Sequence, residues 1–453
     1  MSKSVSSTSP KPVDLCLDPS WIIPLNQQPS GNRERILSDC SLIINDGLIE
    51  AILPRAEVAL RYSPKERLAL DGQLIMPGLI NCHGHAAMTL MRGVGDDQPL
   101  QHWLEKTIWP LEARHLSEEF VGDGSRLAMA EMLLSGTTCF ADMYFYPGSV
   151  AAEARKAGMR AQLYFPILQF ETPWAQDEDS YLHKGLQVWD DYRSDALINV
   201  GFGPHAPYSV SKPMLQRIAT YAEELQASVQ IHLQETAREV ERHIAQHGCR
   251  PIDTLAELGL LSPLTQCVHM TQVVDTDIEL LVASGAQVIH CPQSNMKLAS
   301  GACPTQKLLD AGINVALGTD GAASNNELNL FAELQAAALL GKLTANDAAA
   351  INAFTALEMA TISGAKAMGL GDVIGSLEAG KAADLISVDL TDISSQPLHN
   401  IVSQLVYTQS AHRVRNVWVA GQQLVKNRQL TRIDSSELRV TATSWQRRIR
   451  GTH

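Results

Sequence analysis

Eight apolar, β-rich runs recur along the middle of the chain, and each is followed by a stretch with helical spacing. They are LIMPGLINCH, TTCFADM, MRAQLYFP, INVGFGPH, SVQIHLQ, QCVHM, AQVIHC and INVALGTD, with intervening tracts such as PMLQRIATYAEELQA. A strand that is apolar on both faces must be covered on both, and strand-helix alternation provides that cover for parallel strands. Eight such units predict an α/β fold of the (β/α)8 TIM-like barrel type. An open doubly wound sheet fits less well, because the chain has neither a GxGxxG nor a GxxxxGK[ST] phosphate loop.

The two ends of the chain have a different texture. Short alternating runs occupy the N-terminal region, with Asn45-Asp46-Gly47 as a tight hairpin turn. A similar pattern returns in GSLEAGKAADLISVD and VRNVWVAGQQLVKN, where Ala420-Gly421 marks another turn. The expected organisation is a disordered tail over 1–12 and the two halves of a small β-sandwich domain at 13–75 and 372–435. The barrel fills 76–371, and a C-terminal extension covers 436–453.

Composition narrows the partners. The net charge of -13 and the lack of a basic cluster argue against nucleic acid and favour a small molecule. No apolar run reaches membrane-spanning length, so no membrane partner is expected. The eight cysteines contain no CxxC pair, which fits reduced thiols in a cytoplasmic protein.

Chemistry-bearing residues fall at the ends of the predicted strands: His83 and His85, His205, His232, His269 and Asp320, with Glu235 just beyond His232. Strand ends in a barrel converge on one mouth, so these groups become neighbours. Each alone has an ordinary explanation, such as a hydrogen-bonded core histidine or an Asp-Gly turn. Their shared position at one end of every strand is what weakens those explanations. His83, His85, His232 and Asp320 supply the imidazole and carboxylate donors of a catalytic divalent metal site, which would turn a bound water into a nucleophile.

The motifs PGLINCHGHAAMTLMRG, HAPYS, IHLQET, VHM, CPQSNMKLASG and LGTDGAASNN resemble the metal-dependent amidohydrolase superfamily. They are most similar to its methylthioadenosine/S-adenosylhomocysteine deaminase branch. The resemblance implies hydrolytic deamination of the adenine ring of 5'-substituted adenosines, giving the inosine analogue and ammonia. It implies metal ligands at His83, His85, His232 and Asp320, and a catalytic histidine at His269. Glu235 would exchange a proton with the purine ring, while Asp320 would also take the water proton. Glu112 would bind the ribose hydroxyls and His205 would contact the nucleoside. Trp103 is expected to lie against the base or thioether, with core or lid packing as its ordinary explanation.

The fourth run, INVGFGPH, has no lysine where binuclear members of that superfamily carry a carboxylated lysine bridging two metals, so the resemblance implies one divalent ion per subunit. Zn2+ comes first, with Fe2+ and Mn2+ as alternatives. The 168–185 segment is expected to form a specificity loop, and Arg160 to be a salt-bridged strand-edge residue. A homo-oligomer, dimer or higher, is the expected assembly. The competing readings are a related hydrolase of another heteroaromatic ring, such as guanine or a triazine, and a non-catalytic barrel scaffold.

Overall fold

Strand-helix alternation through the middle of the chain produces a parallel barrel, seen in a computed structural model that describes residues 9–26 and 36–451. Its strands are β1 (Leu79–Asn81), β2 (Thr137–Asp142), β3 (Arg160–Ile167), β4 (Ile198–Pro204), β5 (Val229–Leu233), β6 (Thr265–His269), β7 (Gln287–His290) and β8 (Val315–Leu317). They neighbour one another in sequence order. The seam between β1 and β8 is joined by Cys82 N–H to Leu317 C=O at 2.9 Å and by Asp320 N–H to His83 C=O at 3.0 Å. Closure thus occurs where two of the expected site residues sit.

The first apolar run is shared between two sheets. Leu74 to Pro77 ends the long strand Tyr62–Pro77 of a second sheet, and only Leu79–Asn81 enters the barrel. The crossing falls at Gly78, where a Cβ would lie 2.1 Å from Thr138 Oγ1, so only glycine permits the close passage over β2.

Both chain ends build that second sheet, which has nine strands among the described residues. Lys11–Ile22 runs parallel to Tyr62–Pro77 and antiparallel to Cys40–Asn45. Leu385–Asp389 joins from the C-terminal side, antiparallel to Tyr62–Pro77. Both expected turns form with the left-handed pair of residues that a two-residue hairpin needs: Asp46 and Gly47 at φ 50° and 78°, Ala420 and Gly421 at φ 46° and 73°. Adjacent residues face opposite sides, so Leu17 and Leu42 enter one apolar cluster while Cys16 and Ile43 enter another.

Two residues expected in the N-terminal tail belong to a strand. Lys11 and Pro12 already pair with Tyr62 and Ser63, because strand pairing extends beyond the apolar residues that signal it. Residues 1–8 of that tail, and 452–453 of the C-terminal extension, lie outside the described residues. The rest of the extension is a helix, Ser435–Arg450, whose Trp445 packs edge-on against Phe120 and donates to Asp123 Oδ2 at 2.8 Å.

Arg160 is the salt-bridged residue anticipated, and the bridge is buried. Its guanidinium meets Asp384 at 3.0 Å, and Asp384 also accepts the Ala420 N–H at 2.7 Å, so the pair joins the barrel to the second sheet. None of the eight cysteines is in a disulfide. No helix among the described residues is long and apolar enough to cross a membrane.

Candidate active site

The C-terminal strand ends converge on a cavity of about 310 Å3. His85, His205, His232, Glu235, His269 and Asp320 line it from the barrel, and Trp103 and Glu112 line it from the helical segment above. His83 is fully buried just behind, its ring 4.9 Å from those of both His85 and His232. Every site residue anticipated from the sequence is therefore at this one mouth.

Hydrogen bonds settle which ring nitrogens are free. His85 Nδ1 lies 2.8 Å from the Met143 carbonyl, and His232 Nδ1 lies 2.7 Å from that of His205. A carbonyl only accepts, so both Nδ1 atoms carry a proton, and Nε2 is the nitrogen each ring can offer as a ligand once it is neutral. His83 is fixed less directly. Its Nδ1 lies 2.7 Å from Gln230 Oε1, while the Gln230 amide donates to the Cys82 carbonyl at 2.9 Å and to Gln266 Oε1 at 2.6 Å. Gln266 in turn donates to Tyr164 Oη and to the Ala367 carbonyl. That chain leaves Gln230 only its oxygen to offer His83.

Three Nε2 nitrogens and one carboxylate oxygen then face a common point. His83 Nε2 is 3.2 Å from His232 Nε2, and Asp320 Oδ1 is 3.2 Å from His85 Nε2 and 3.6 Å from His83 Nε2. Donors about 2.0–2.1 Å from one tetrahedral zinc ion stand about 3.3 Å apart. Two lone pairs facing each other at 3.2 Å repel unless a cation lies between them, so the donor set fits a divalent metal ion. Burial and the neighbouring imidazoles hold His232 well below its ordinary pKa, which keeps it a neutral ligand. At His85 burial opposes the charged form, but the hydrogen bond and charge of Asp320 prevail and raise it to about 9. A cation competes with that proton for the same nitrogen.

Glu235, His269 and Asp320 surround the cavity floor. Burial, reinforced by the charge of Asp320, pushes the Glu235 carboxyl up to about 8, although Ser300 donates to it at 3.1 Å. Its Oε2 is 3.8 Å from His269 Nε2. His269 Nδ1 is held 2.9 Å from Asn295 Oδ1, which turns Nε2 toward Glu235. Asp320 accepts the Ser294 hydroxyl at 2.6 Å and the Gly321 N–H at 2.7 Å. Gln234, His269 and Asp320 all adopt left-handed backbone, at φ 51°, 75° and 60°. Such conformations cost about 1–3 kcal/mol each and gather where geometry serves chemistry.

Glu112 is buried on the other side of the cavity and accepts the Tyr144 hydroxyl at 2.6 Å; burial lifts its carboxyl to about 7. It sits at the end of a helical path whose middle, Leu104–Ile108, winds as a π-turn. Pro110, two residues beyond it, has no N–H to give a regular helix, and a wider turn accommodates that loss.

The amidohydrolase family pattern matches residues 74–424, from the end of Tyr62–Pro77 through the whole barrel and into the C-terminal strands of the second sheet. The chain belongs to the amidohydrolase family. Within it, the chain is 60% identical to a 5-methylthioadenosine/S-adenosylhomocysteine deaminase of Teredinibacter turnerae, over 98% of this chain and 99% of that one. A protein of the same name from Saccharophagus degradans is 52% identical over 98% of each chain. Among solved structures, a zinc-bound adenosine deaminase of Xanthomonas campestris superposes with a TM-score of 0.95 at 43% identity, covering 98% of this chain and all of its own.

This amidohydrolase site also contains residues that the sequence reading did not single out. Gln230 and Gln266 read there as polar positions within apolar strands. Ser294, Asn295 and Ser300 all lie in CPQSNMKLASG, a motif noted for its resemblance without roles assigned to its members. Tyr144 follows β2 in ADMYFYPG, and its position after a barrel strand was the signal available.

Proposed function

We propose that this chain is a metal-dependent aminohydrolase that removes the 6-amino group of 5'-substituted adenosines, giving the inosine analogue and ammonia. One observation carries the reading: the imidazole-carboxylate cluster, the buried Glu235 and the buried Glu112 with its tyrosine all face a single cavity. The names of the relatives support the substrate class, and the zinc in the structural neighbour supports zinc as the metal.

His83, His85, His232 and Asp320 would hold one ion, and when bound it would supply Lewis-acid activation of a water. The remaining chemistry belongs to the side chains. Asp320 takes a proton from the water as its oxygen attacks C6, and His269 hydrogen-bonds that oxygen through Nε2. Glu235, protonated at neutral pH, donates to the adjacent ring nitrogen and so removes the negative charge building on the ring. As the C6–N bond breaks, Asp320 returns its proton to the leaving amine. The new hydroxyl yields its proton to Glu235, which resets the acid and leaves the carbonyl product.

Glu112 would accept the ribose hydroxyls, a carboxylate being suited to a diol. His205, kept neutral near pKa 4 by burial and the surrounding imidazoles, would line the nucleoside pocket. Trp103 would cover the 5' side. Eight thiols outside any disulfide support a reducing, cytoplasmic setting, and exposed Leu339 and Leu343 on helix Leu330–Ala345 support a homo-oligomer.

Comparing Glu112→Gln with the parent on methylthioadenosine and on free adenine tests the assignment. The substitution is expected to raise KM about tenfold or more for the nucleoside only, the scale of losing a hydrogen bond to a charged group. Equal effects on both compounds would remove the ribose role, and ammonia release from neither by the parent would overturn the reading.

A further inference from the structure

We infer that the cavity selects adenosines whose 5' substituent is apolar and uncharged, and discriminates against those that end in an amino-acid carboxylate. This inference rests on the nucleoside reading above and deepens it.

The helical path that carries Glu112 presents Leu100, Trp103, Leu104 and Trp109 to the same cavity. All four line the same cavity as Glu112, so the surface leading away from the ribose-binding carboxylate is hydrocarbon. Leu168 and Phe170 supply the facing wall, and Phe170 packs on Trp109 with ring centroids 5.6 Å apart. That wall is held in place: the Tyr181 hydroxyl donates to the Phe170 carbonyl at 3.2 Å and lies 2.6 Å from the Thr172 hydroxyl, and Tyr146 donates to the Pro173 carbonyl at 2.9 Å.

Charge points the same way. Among the described residues no lysine or arginine lines the cavity, whereas Glu112, Glu171, Glu235 and Asp320 all do. Lys184, close in sequence to this wall, is committed to the Trp174 carbonyl. A methylthio or longer alkylthio group would bury apolar surface here. A homocysteine arm would bring an ammonium, which the exposed Glu171 could receive, and a carboxylate, for which no cation lines the walls. A partly desolvated charge without a partner is costly, and specificity often comes from such a mismatch.

The test measures kcat/KM of the zinc-loaded full chain on methylthioadenosine, 5'-butylthioadenosine and S-adenosylhomocysteine. The butyl compound matches the homocysteine arm in length and lacks its charges. The two alkylthio nucleosides are expected to agree within a few fold, with S-adenosylhomocysteine about tenfold or more slower, the scale of one unpaired polar group. Glu171→Lys is expected to narrow that gap by favouring S-adenosylhomocysteine. S-adenosylhomocysteine turning over as fast as the butyl compound would overturn the inference, as would a butyl compound equally slow, since length would then be the cause. No turnover of any of the three would overturn the nucleoside reading itself and this inference with it.

Discussion

One proton decides what His83 can do. If Nδ1 carries it, Nε2 is free for a metal ion, and the Gln230–Gln266 chain places it there. Gln230→Leu is therefore expected to weaken metal binding about 10–100-fold, the usual effect of removing a ligand's supporting partner; competition against a chelator measures it. Glu235 offers a pH signature. Its donor form is lost as pH rises through about 8, so kcat is expected to fall across that range. Glu235→Gln should lose about a hundredfold or more in kcat with its metal content unchanged, because general acid catalysis is worth about that much. The histidines and Asp320 were legible in the sequence because a polar residue at the end of an apolar strand stands out. Gln230, Gln266 and Asn295 were not, since their importance lies in contacts between strands distant in sequence.

At the scale of elements, β8 is three residues long, and the glycine that follows it passes against His83. A Cβ at Gly318 would stand 2.7 Å from His83 Cβ and 2.9 Å from its backbone nitrogen. Gly318→Ala is expected to lower stability by about 1–3 kcal/mol, as overpacking does, and to reduce bound metal, read by denaturant unfolding and metal analysis. All eight barrel strands were visible as apolar runs. Their limits were less so: LIMPGLINCH reads as one strand, yet Gly78 passes it from one sheet to the other. The π-turn before Pro110 has no periodic signature, because a proline in a helical pattern signals only that something must give.

Across the whole molecule, the barrel and the two-ended sheet meet at Arg160 and Asp384, whose side chains are 5% and 1% exposed. Arg160→Met alone should cost about 3–5 kcal/mol, because it leaves a buried carboxylate without its partner. Adding Asp384→Leu should recover much of that loss, and equilibrium unfolding of the three proteins checks both statements. The pairing of the chain ends was legible from their shared turn chemistry. The parallel contact of Lys11–Ile22 with Tyr62–Pro77 was not, since it joins strands with no local connection. The central claim is that the imidazole-carboxylate cluster holds a metal that drives adenine deamination. Its most direct test is the absorbance change of methylthioadenosine with the zinc-loaded protein, before and after chelation, with bound metal quantified. The account predicts conversion to the hypoxanthine chromophore that stops on chelation and returns with zinc. Metal-loaded protein that leaves the adenine spectrum unchanged, or conversion that persists once the metal is gone, would contradict it.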